Sequence, residues 1–180
     1  MQLYKPEEDS FLLSKILGEK IPEIIKLKKN LRLLEIGAGS GINLEKVFSL
    51  GVSKENIFSC DINLEAVKVC KKKGFNCVKS NLFEKFIGKK FDIIIFNPPY
   101  LPLDKDEPED SQTATTGGKF GSEIINKFLE EAKKYLEKDG RIFLISSSLT
   151  KKINWKGYKK KIVGKKRLFF EEIYCWELRT

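Results

Sequence analysis

The chain has 180 residues, 41% of them hydrophobic, which is enough for one globular domain with a sizeable core. Its apolar runs are far shorter than a membrane span, and its polar N-terminus predicts no secretory signal, so we expect a cytoplasmic protein with no membrane contact. The four cysteines show no C-x-x-C spacing and histidine is absent, so we expect reduced thiols and no metal site.

The formal net charge of +9 is concentrated in one segment. Residues 151–167 contain nine Lys or Arg and no Asp or Glu, so this segment carries as much positive charge as the whole chain. Such a basic segment can attract RNA, DNA or an RNA-bound assembly by neutralising phosphates, or it can be a solvated face that aids solubility. The sequence leaves both interpretations open.

A helical pattern opens the chain, and strand-like and helix-like runs then alternate. In residues 6–28, the positions of Phe11, Leu12, Ile16 and Leu17 form one apolar stripe of a helix. Strands are predicted over 31–37, 55–62, 75–80, 90–97 and 140–148, and helices over 41–51, 63–74 and 121–140. Buried strands that alternate with helices predict an α/β fold with a mostly parallel sheet and helices on both faces.

The C-terminal residues 150–180 break this alternation. Two strands are predicted there, over 158–164 and 169–178, joined by a turn rich in Lys and Arg. Because too few residues separate them for a crossover helix, they are expected to pair antiparallel. No linker or repeat divides the chain, so we expect a single domain over 1–180 that begins with a helical segment, 1–29.

A glycine-rich turn, Gly37–Gly41, follows the first predicted strand and lets the backbone turn sharply and approach a ligand closely. About twenty residues later Asp61 ends the second strand, where a carboxylate can accept hydrogen bonds from both hydroxyls of a ribose. Asn81 and Leu82 follow the third strand and offer a polar group and an apolar neighbour to an adenine ring. The Gly-x-Gly-x-Gly spacing favours an adenosine ligand without a pyrophosphate, although a tight strand-to-helix turn also explains the glycines alone.

The motif Asn97-Pro98-Pro99-Tyr100 ends the fourth predicted strand. The Asn97 side-chain oxygen and the Pro98 carbonyl can accept both N–H bonds of an –NH₂ group, and the two prolines restrict how far their spacing varies. Tyr100 offers a flat apolar face against which a planar group can stack. The motif therefore predicts catalysis by orienting a weakly nucleophilic amide or base nitrogen, and a rigid cap on the strand is the alternative.

Five segments of the sequence together resemble the Class I S-adenosylmethionine-dependent methyltransferases that carry Asn-Pro-Pro-Tyr. They are LYKPEEDSFLL (3–13), LEIGAGSG (34–41), DIN (61–63), FNPPY (96–100) and TGGKFGSEIINKFL (116–129). Within that group the chain most resembles the short archaeal and eukaryotic HemK-like enzymes, relatives of the release-factor glutamine methyltransferases. The resemblance implies a seven-stranded, mostly parallel Rossmann-like sheet with an antiparallel C-terminal strand.

The resemblance also implies which residues form the site. The residues expected at the S-adenosylmethionine cofactor are Ser10, Glu35, Gly37, Gly39, Gly41, Asp61, Ile62, Asn81, Leu82 and Asn97. Ser10 is expected to approach from a lid formed by residues 1–29. The target amide is expected to bind Asn97, Pro98, Pro99 and Tyr100, and catalysis is assigned to Asn97, Pro98 and Tyr100. Asn81 stands where the family usually has Asp, so it keeps an acceptor oxygen but lacks the charge.

The implied substrate is the glutamine of a Gly-Gly-Gln motif in a translation termination factor, and the implied partner is a small zinc-binding activator protein. N5-methylation of that glutamine is one hypothesis. A nucleic-acid amino-methyltransferase acting on adenine N6 or guanine N2 is a second, because Asn-Pro-Pro-Tyr serves both and segment 151–167 suits RNA. Protein-lysine methylation and a silent adenosine-binding scaffold are further alternatives, and the intact 97–100 motif opposes the last.

Overall fold

The computed structural model of the protein describes residues 6–104 and 115–180, so residues 1–5 of the expected lid lie outside the described residues. Its helices are α1 (Glu8–Leu27), α2 (Ile42–Ser49), α3 (Leu64–Lys72) and α4 (Glu123–Tyr135). Its strands are β1 (Leu33–Ile36), β2 (Ile57–Asp61), β3 (Asn76–Lys79), β4 (Phe91–Phe96), β5 (Leu136–Ser147), β6 (Lys159–Arg167) and β7 (Glu172–Arg179).

All seven of these strands form one sheet, in the order β3-β2-β1-β4-β5-β7-β6. The five strands from β3 to β5 in this order pair parallel, whereas β7 pairs antiparallel with both of its neighbours, β5 and β6. The predicted seven-stranded sheet with an antiparallel C-terminal strand is therefore confirmed. Its order reverses between β1 and β4, which is the position where ligands bind in open α/β sheets.

Strand β4 runs through the centre of the core. Every one of its residues is buried, as expected for a strand whose sheet is covered on both faces. At its carboxyl end, Phe96 contacts Phe128 of α4, with 4.7 Å between the ring centroids. Phe83 stacks on the same Phe128 ring and on Tyr135, so aromatic packing fixes α4 beside the end of β4.

Helix α1 packs its apolar stripe against the C-terminal strands. Three of the four residues predicted for that stripe are buried, namely Leu12, Ile16 and Leu17. The prediction for Phe11 was wrong, because this side chain is 53% exposed, and Leu13 is buried in its place. The packing on β6 is close: a Cβ added to Gly164 would lie 2.7 Å from Ile16 Cδ1. Among the described helices, none combines the length and the apolar character that a membrane span requires.

The boundary between α4 and β5 differs from the prediction. The helix expected to continue to Gly140 ends at Tyr135, and Leu136 already pairs with Phe91 of β4. A register shift follows, in which Asp139 has a φ of 65°. Gly140 was predicted to stop the helix, but it lies in this irregular start of β5. A Cβ added to Gly140 would lie 2.8 Å from the Leu136 side chain.

Candidate active site

The carboxyl ends of the first four strands surround a cavity of about 240 Å³. Gly37, Asp61, Asn81 and Asn97 all line it, and each ends or follows a different strand. The cavity lies where the strand order reverses, so the topology brings together residues that are up to sixty positions apart in sequence. Of the other predicted residues, Ser10, Glu35, Gly39, Ile62, Leu82, Pro98 and Pro99 also belong to its lining.

The glycine turn forms one wall of this cavity. Gly37, Gly39 and Gly41 have φ values of 67°, 51° and 79°, a region that side-chain-bearing residues rarely adopt. Gly37 and Gly39 line the cavity, but Gly41 does not. Gly41 precedes α2, and an added Cβ there would lie 3.2 Å from Cys70 Sγ, so this glycine is explained by the turn and its packing.

The carboxylate of Asp61 holds the glycine turn and also faces the cavity. Its Oδ2 accepts a hydrogen bond from the Gly39 N–H at 2.9 Å, and its Oδ1 accepts one from the Asn63 N–H at 2.8 Å. Burial raises the pKa of Asp61, and backbone hydrogen bonds from Asn63, Gly39 and Ile62 oppose that shift. A carboxylate has about four lone-pair sites, so acceptor capacity is left for a ligand hydroxyl. The adjacent Ile62 lines the cavity with a 54% exposed apolar side chain.

Two buried acceptors face the cavity from β1 and α2. Glu35 Oε1 accepts a hydrogen bond from Asn43 Nδ2 at 2.9 Å. Glu35 Oε2 and Asn43 Oδ1 are buried and have no hydrogen-bond partner among the described residues. Burial raises the pKa of Glu35 to about 8, although the Asn43 bond opposes this. A ligand that brings N–H donors would satisfy both acceptors, whose burial without a partner is costly.

A third acceptor of this kind belongs to the Asn-Pro-Pro-Tyr motif. Asn97 Oδ1 is buried and has no hydrogen-bond partner within the described part of the chain, and Asn97 lines the cavity together with Pro98 and Pro99. Such an atom destabilises the fold unless a ligand pairs with it, so its presence is evidence for a functional role. An incoming –NH₂ group is a suitable donor.

The side chain of Tyr100 is directed away from this group. Tyr100 does not line the main cavity, and it lines a neighbouring one of about 130 Å³ instead. Its hydroxyl donates a hydrogen bond to Asp9 Oδ2, and Asp9 lines both cavities. The predicted contact of Ser10 with the main cavity is observed, so the start of α1 covers the site next to the motif.

The two residues predicted to face an adenine, Asn81 and Leu82, lie in a tight turn after β3. Asn81 is exposed, and its Nδ2 donates to Glu84 Oε1 at 3.2 Å, which leaves its side-chain oxygen as an acceptor. Leu82 is buried at a φ of 46°, and its carbonyl accepts hydrogen bonds from Ser80 Oγ and Cys60 Sγ. The turn thus holds a polar and an apolar side chain at the cavity, as the sequence predicted.

Residues 115–121 support the Asn-Pro-Pro-Tyr motif from behind. The Leu101 N–H donates to the Thr115 carbonyl and the Leu101 carbonyl accepts from the Gly117 N–H, each at 2.9 Å. The approach requires glycine, because a Cβ on Gly117 would lie 2.5 Å from the Pro99 carbonyl oxygen and one on Gly121 would lie 2.3 Å from the Tyr100 carbonyl oxygen. The Gly-Gly-x-x-Gly segment therefore fixes the backbone that carries Asn97.

Several residues at the cavity were not identified from the sequence. They are Asp9, Ile36, Ala38, Ser40, Ile42, Asn43, Asn63, Ala66, Ser80, Phe96 and Ile124. Asn43 had a detectable signal, because it stands four residues before Val47 on the apolar face of an amphipathic helix, and the structure buries both residues. Asp9 gave no such signal, since an acidic residue at a helix start is usually a surface feature that favours the helix dipole.

Comparison with known proteins finds related methyltransferases. The family model described as Eco57I restriction-modification methylase matches residues 71–169. A chain from Methanocaldococcus jannaschii, named as a candidate protein N5-glutamine methyltransferase, is 38% identical over 98% of this chain and 93% of its own length. The eRF1 methyltransferase catalytic subunit of Schizosaccharomyces pombe is 28% identical over 83% of this chain and 74% of its own length.

Solved structures share the fold. A SAM-dependent methyltransferase from Bacteroides fragilis, solved in complex with S-adenosyl-L-homocysteine, superposes with a TM-score of 0.56. The match covers 95% of this chain and 81% of that chain, at 16% sequence identity. At that identity the likeness shows the fold alone.

Proposed function

We propose a substrate for this chain from the family to which it belongs. The chain is a member of the methylase family that the Eco57I model describes, and along nearly its whole length it belongs to the protein N5-glutamine methyltransferases. The substrate is the glutamine in the Gly-Gly-Gln motif of a translation termination factor, and S-adenosylmethionine is the methyl donor. The Schizosaccharomyces pombe relative, named for its action on eRF1, supports this choice.

The residues of the main cavity fit the cofactor. Asp61 presents carboxylate oxygens for ribose hydroxyls, and the Asn81 oxygen and the exposed Ile62 suit the edge and face of an adenine. Glu35 Oε2 and Asn43 Oδ1 suit the cationic amino group of the methionine part, because they are buried acceptors without a partner among the described residues. When bound, S-adenosylmethionine supplies an electrophilic methyl group on a sulfonium.

The single observation that carries the catalytic proposal is the buried and unpaired Asn97 Oδ1. This oxygen and the Pro98 carbonyl accept the two N–H bonds of the glutamine amide and thereby orient its nitrogen. The amide nitrogen is weakly nucleophilic, so positioning and stabilisation of the developing positive charge are the available catalytic contributions. Asn97, Pro98 and Pro99 form this substrate contact, and Tyr100 stabilises the motif through Asp9.

The other hypotheses predict different substrates for the same site at Asn97 and Pro98. The similarity along nearly the whole chain to a protein N5-glutamine methyltransferase favours a protein acceptor over adenine N6 or guanine N2. A lysine substrate would present an ammonium group, whereas the Asn97 oxygen and the Pro98 carbonyl are two hydrogen-bond acceptors suited to a planar –NH₂ group. A silent scaffold would have no use for the costly unpaired Asn97 oxygen.

Two partners besides the substrate remain predictions. The family resemblance implies a small zinc-binding activator, and the relative from Schizosaccharomyces pombe is named as a catalytic subunit. RNA is the second partner, because segment 151–167 carries nine positive side chains and no acidic one. A termination factor as substrate also favours a cytoplasmic location.

The test is incubation with methyl-labelled S-adenosylmethionine and either the cognate termination factor or total RNA. We expect label on the factor, and mass spectrometry should place it on the glutamine of Gly-Gly-Gln. A factor in which that glutamine is replaced by Asn should remain unlabelled. Label on RNA, or on a lysine of the factor, would overturn the proposal. The assay is repeated with the candidate activator subunit, so that inactivity of the isolated chain is not mistaken for a wrong substrate.

A further inference from the structure

An open groove of about 430 Å³ lies beside the Asn-Pro-Pro-Tyr motif, on the antiparallel side of the sheet. Its lining includes Ser146–Ser148 and Thr150 as well as the aromatic residues Trp155, Tyr174 and Trp176. The groove is exposed because residues 148–158, between β5 and β6, form no helix that could cover it.

Three aromatic rings provide flat faces along the groove. The Trp155 and Trp176 rings lie 4.8 Å apart at their centroids, and the Tyr174 and Trp176 centroids are 5.9 Å apart. All three side chains are only partly buried, so part of each ring remains accessible. Rings of this kind are platforms on which the bases of a single-stranded nucleic acid stack.

Two lysine side chains bring positive charge to the groove. Lys160 Nζ lies 4.8 Å from the Trp155 ring centroid and 5.2 Å from that of Trp176, and Lys152 belongs to the groove lining. Within the described residues, ion pairs join only Lys165 and Lys166 of segment 151–167 to carboxylates. Lys152 and Lys160, the two cations placed at the groove, therefore have no carboxylate partner there and are available for phosphates.

One hydroxyl at the groove can also donate to a phosphate. Among the hydrogen bonds of the described residues, the oxygens of Ser146, Ser147 and Ser148 each accept one, from Trp176 Nε1, the Leu149 N–H and the Glu172 N–H. Ser146 and Ser147 are buried, so of these three only the exposed Ser148 can offer its O–H group to a ligand. The carboxylate of Glu172 is close to these groups, but it is engaged by Lys165 and by the Tyr174 hydroxyl.

The groove is connected to the catalytic motif. Thr150 Oγ1 donates a hydrogen bond of 2.7 Å to the Tyr100 carbonyl, and the Lys151 N–H donates to the Phe120 carbonyl at 2.9 Å. A ligand bound in the groove would therefore lie next to the segment that orients the methyl acceptor.

From these observations we propose that the groove between Ser146–Thr150 and the Trp155, Tyr174 and Trp176 rings binds single-stranded RNA. Bases stack on the rings, and the phosphates contact Lys152, Lys160 and the Ser148 hydroxyl. The RNA is a docking partner and is not methylated. The inference rests on the RNA contact named under the proposed function and assigns it a site, but its test depends neither on the cofactor nor on the acceptor of the methyl group.

The chain offers a direct readout, because its two tryptophans, Trp155 and Trp176, both line the groove. A labelled oligouridine of about twelve nucleotides is titrated with the protein, without S-adenosylmethionine or protein substrate. We expect saturable tryptophan quenching with a matching rise in anisotropy. The Trp155→Ala variant should bind at least about fivefold more weakly, and Trp155→Phe should restore most of the affinity because it keeps a stacking face.

Charge-reversal variants distinguish RNA binding at this groove from general attraction of RNA to a positively charged protein. Lys152→Glu together with Lys160→Glu should weaken binding about tenfold and reduce the slope of log affinity against log salt by about 1.4, since each phosphate contact contributes about 0.7 for a single strand. Lys71→Glu with Lys72→Glu, on the exposed face of α3, changes the net charge equally and should leave the affinity nearly unchanged.

Three outcomes would overturn the inference. They are binding without tryptophan quenching, equal losses in the two charge-reversal variants, and groove variants that lose methylation of the protein substrate while no RNA affinity is measurable. The last outcome would assign the groove to the protein substrate. A failure of glutamine methylation alone would affect the proposed function and leave the RNA result intact.

Discussion

The phenol hydroxyl of Tyr100 donates a hydrogen bond to the Asp9 carboxylate, with 3.2 Å between Tyr100 Oη and Asp9 Oδ2, although 91 positions separate the two residues. Asp9 is 4% exposed and lines the main cavity, whereas Tyr100 belongs to the Asn-Pro-Pro-Tyr motif proposed to hold the methyl acceptor. The bond therefore joins the start of α1, at the cavity, to this motif.

The Tyr100→Phe variant tests this connection. The ring remains and the bond to Asp9 is lost, so we expect S-adenosylmethionine to bind about 1 kcal/mol more weakly. Titration calorimetry measures the change. Tyr174→Phe is the matched control, because it removes a phenol bond to Glu172 outside the cavity and should leave the affinity unchanged. Equal affinities of Tyr100→Phe and the unmodified chain would show that the bond does not contribute to cofactor binding.

The Asn97→Ala variant tests the catalytic role of the unpaired oxygen. We expect methyl transfer to fall below detection while S-adenosylmethionine binding changes little, because the lost acceptor orients the substrate amide. Label transfer and calorimetry on the same preparation separate the two effects. The folded state should gain stability or stay unchanged, since an unsatisfied buried oxygen is removed. Asn76→Ala, an exposed asparagine on β3, is the control. Normal turnover by Asn97→Ala would contradict the assignment.

The Asp61→Ala variant tests the ribose contact. We expect cofactor binding to weaken by about 1.5–3 kcal/mol, the typical loss for hydrogen bonds to a charged group. Because Asp61 also accepts the Gly39 and Asn63 N–H groups, unfolding in urea should show lower stability as well. Glu65→Ala, which removes an exposed carboxylate from α3, should change neither quantity. If calorimetry detects no change for Asp61→Ala, the ribose lies elsewhere.

The Gly121→Ala variant tests the close approach behind the motif. Its Cβ would lie 2.3 Å from the Tyr100 carbonyl oxygen, so we expect a loss of several kcal/mol in unfolding free energy or a displaced motif with little activity. Gly88→Ala is a closely matched control. Gly88 has a φ of 76° against 78° for Gly121, but no atom lies within 4 Å of its added Cβ among the described residues. It should therefore cost only the backbone strain, about 1 kcal/mol. Equal effects would refute the role of the contact.

The buried Glu35 predicts a pH dependence of stability. Its pKa is raised from 4.5 to about 8 by burial, so between these values the folded chain holds a proton that the unfolded chain has released. Stability should consequently fall as the pH rises from about 4.5 to about 8, by an amount on the order of a few kcal/mol. Urea unfolding at several pH values measures this.

In Glu35→Gln the same series should be flatter, because the titrating group is removed. Glu130→Gln, an exposed carboxyl of α4, should keep the slope of the unmodified chain. A Glu35→Gln series parallel to that of the unmodified chain would show that Glu35 ionises normally in the folded state.

The strands and most helices could be predicted because their signals are local. The apolar runs before Gly37, Asp61 and Asn97 end where turn residues begin, and parallel pairing then brings these residues to one edge. The helix stop at Gly140 failed for a tertiary reason: pairing of Leu136 with Phe91 ends the helix before its local stop signal. The helix propensity of a short segment contains no information about its pairing with a strand that is distant in sequence.

The parts of the site that depend on side-chain direction could not be predicted in the same way. The Tyr100 ring was expected against the methyl acceptor, but it is directed to Asp9, because that helix residue supplies the acceptor for its hydroxyl. Gly41 was expected at the cofactor, but it does not line the cavity and instead packs close to Cys70 at the start of α2. Motif spacing fixes where the backbone passes, whereas the contacts of each side chain depend on distant segments.

The packing of α1 on β6 has a consequence for synthesis of the chain. Ile16 lies against Gly164, and Lys166 pairs with Glu8 at 3.1 Å, so the first helix needs the last hairpin as its docking surface. A ribosome must therefore synthesise the chain through β6 before this helix can settle over the cavity. Cofactor-driven stabilisation consequently requires β6, and nascent chains that stop before it gain none of it.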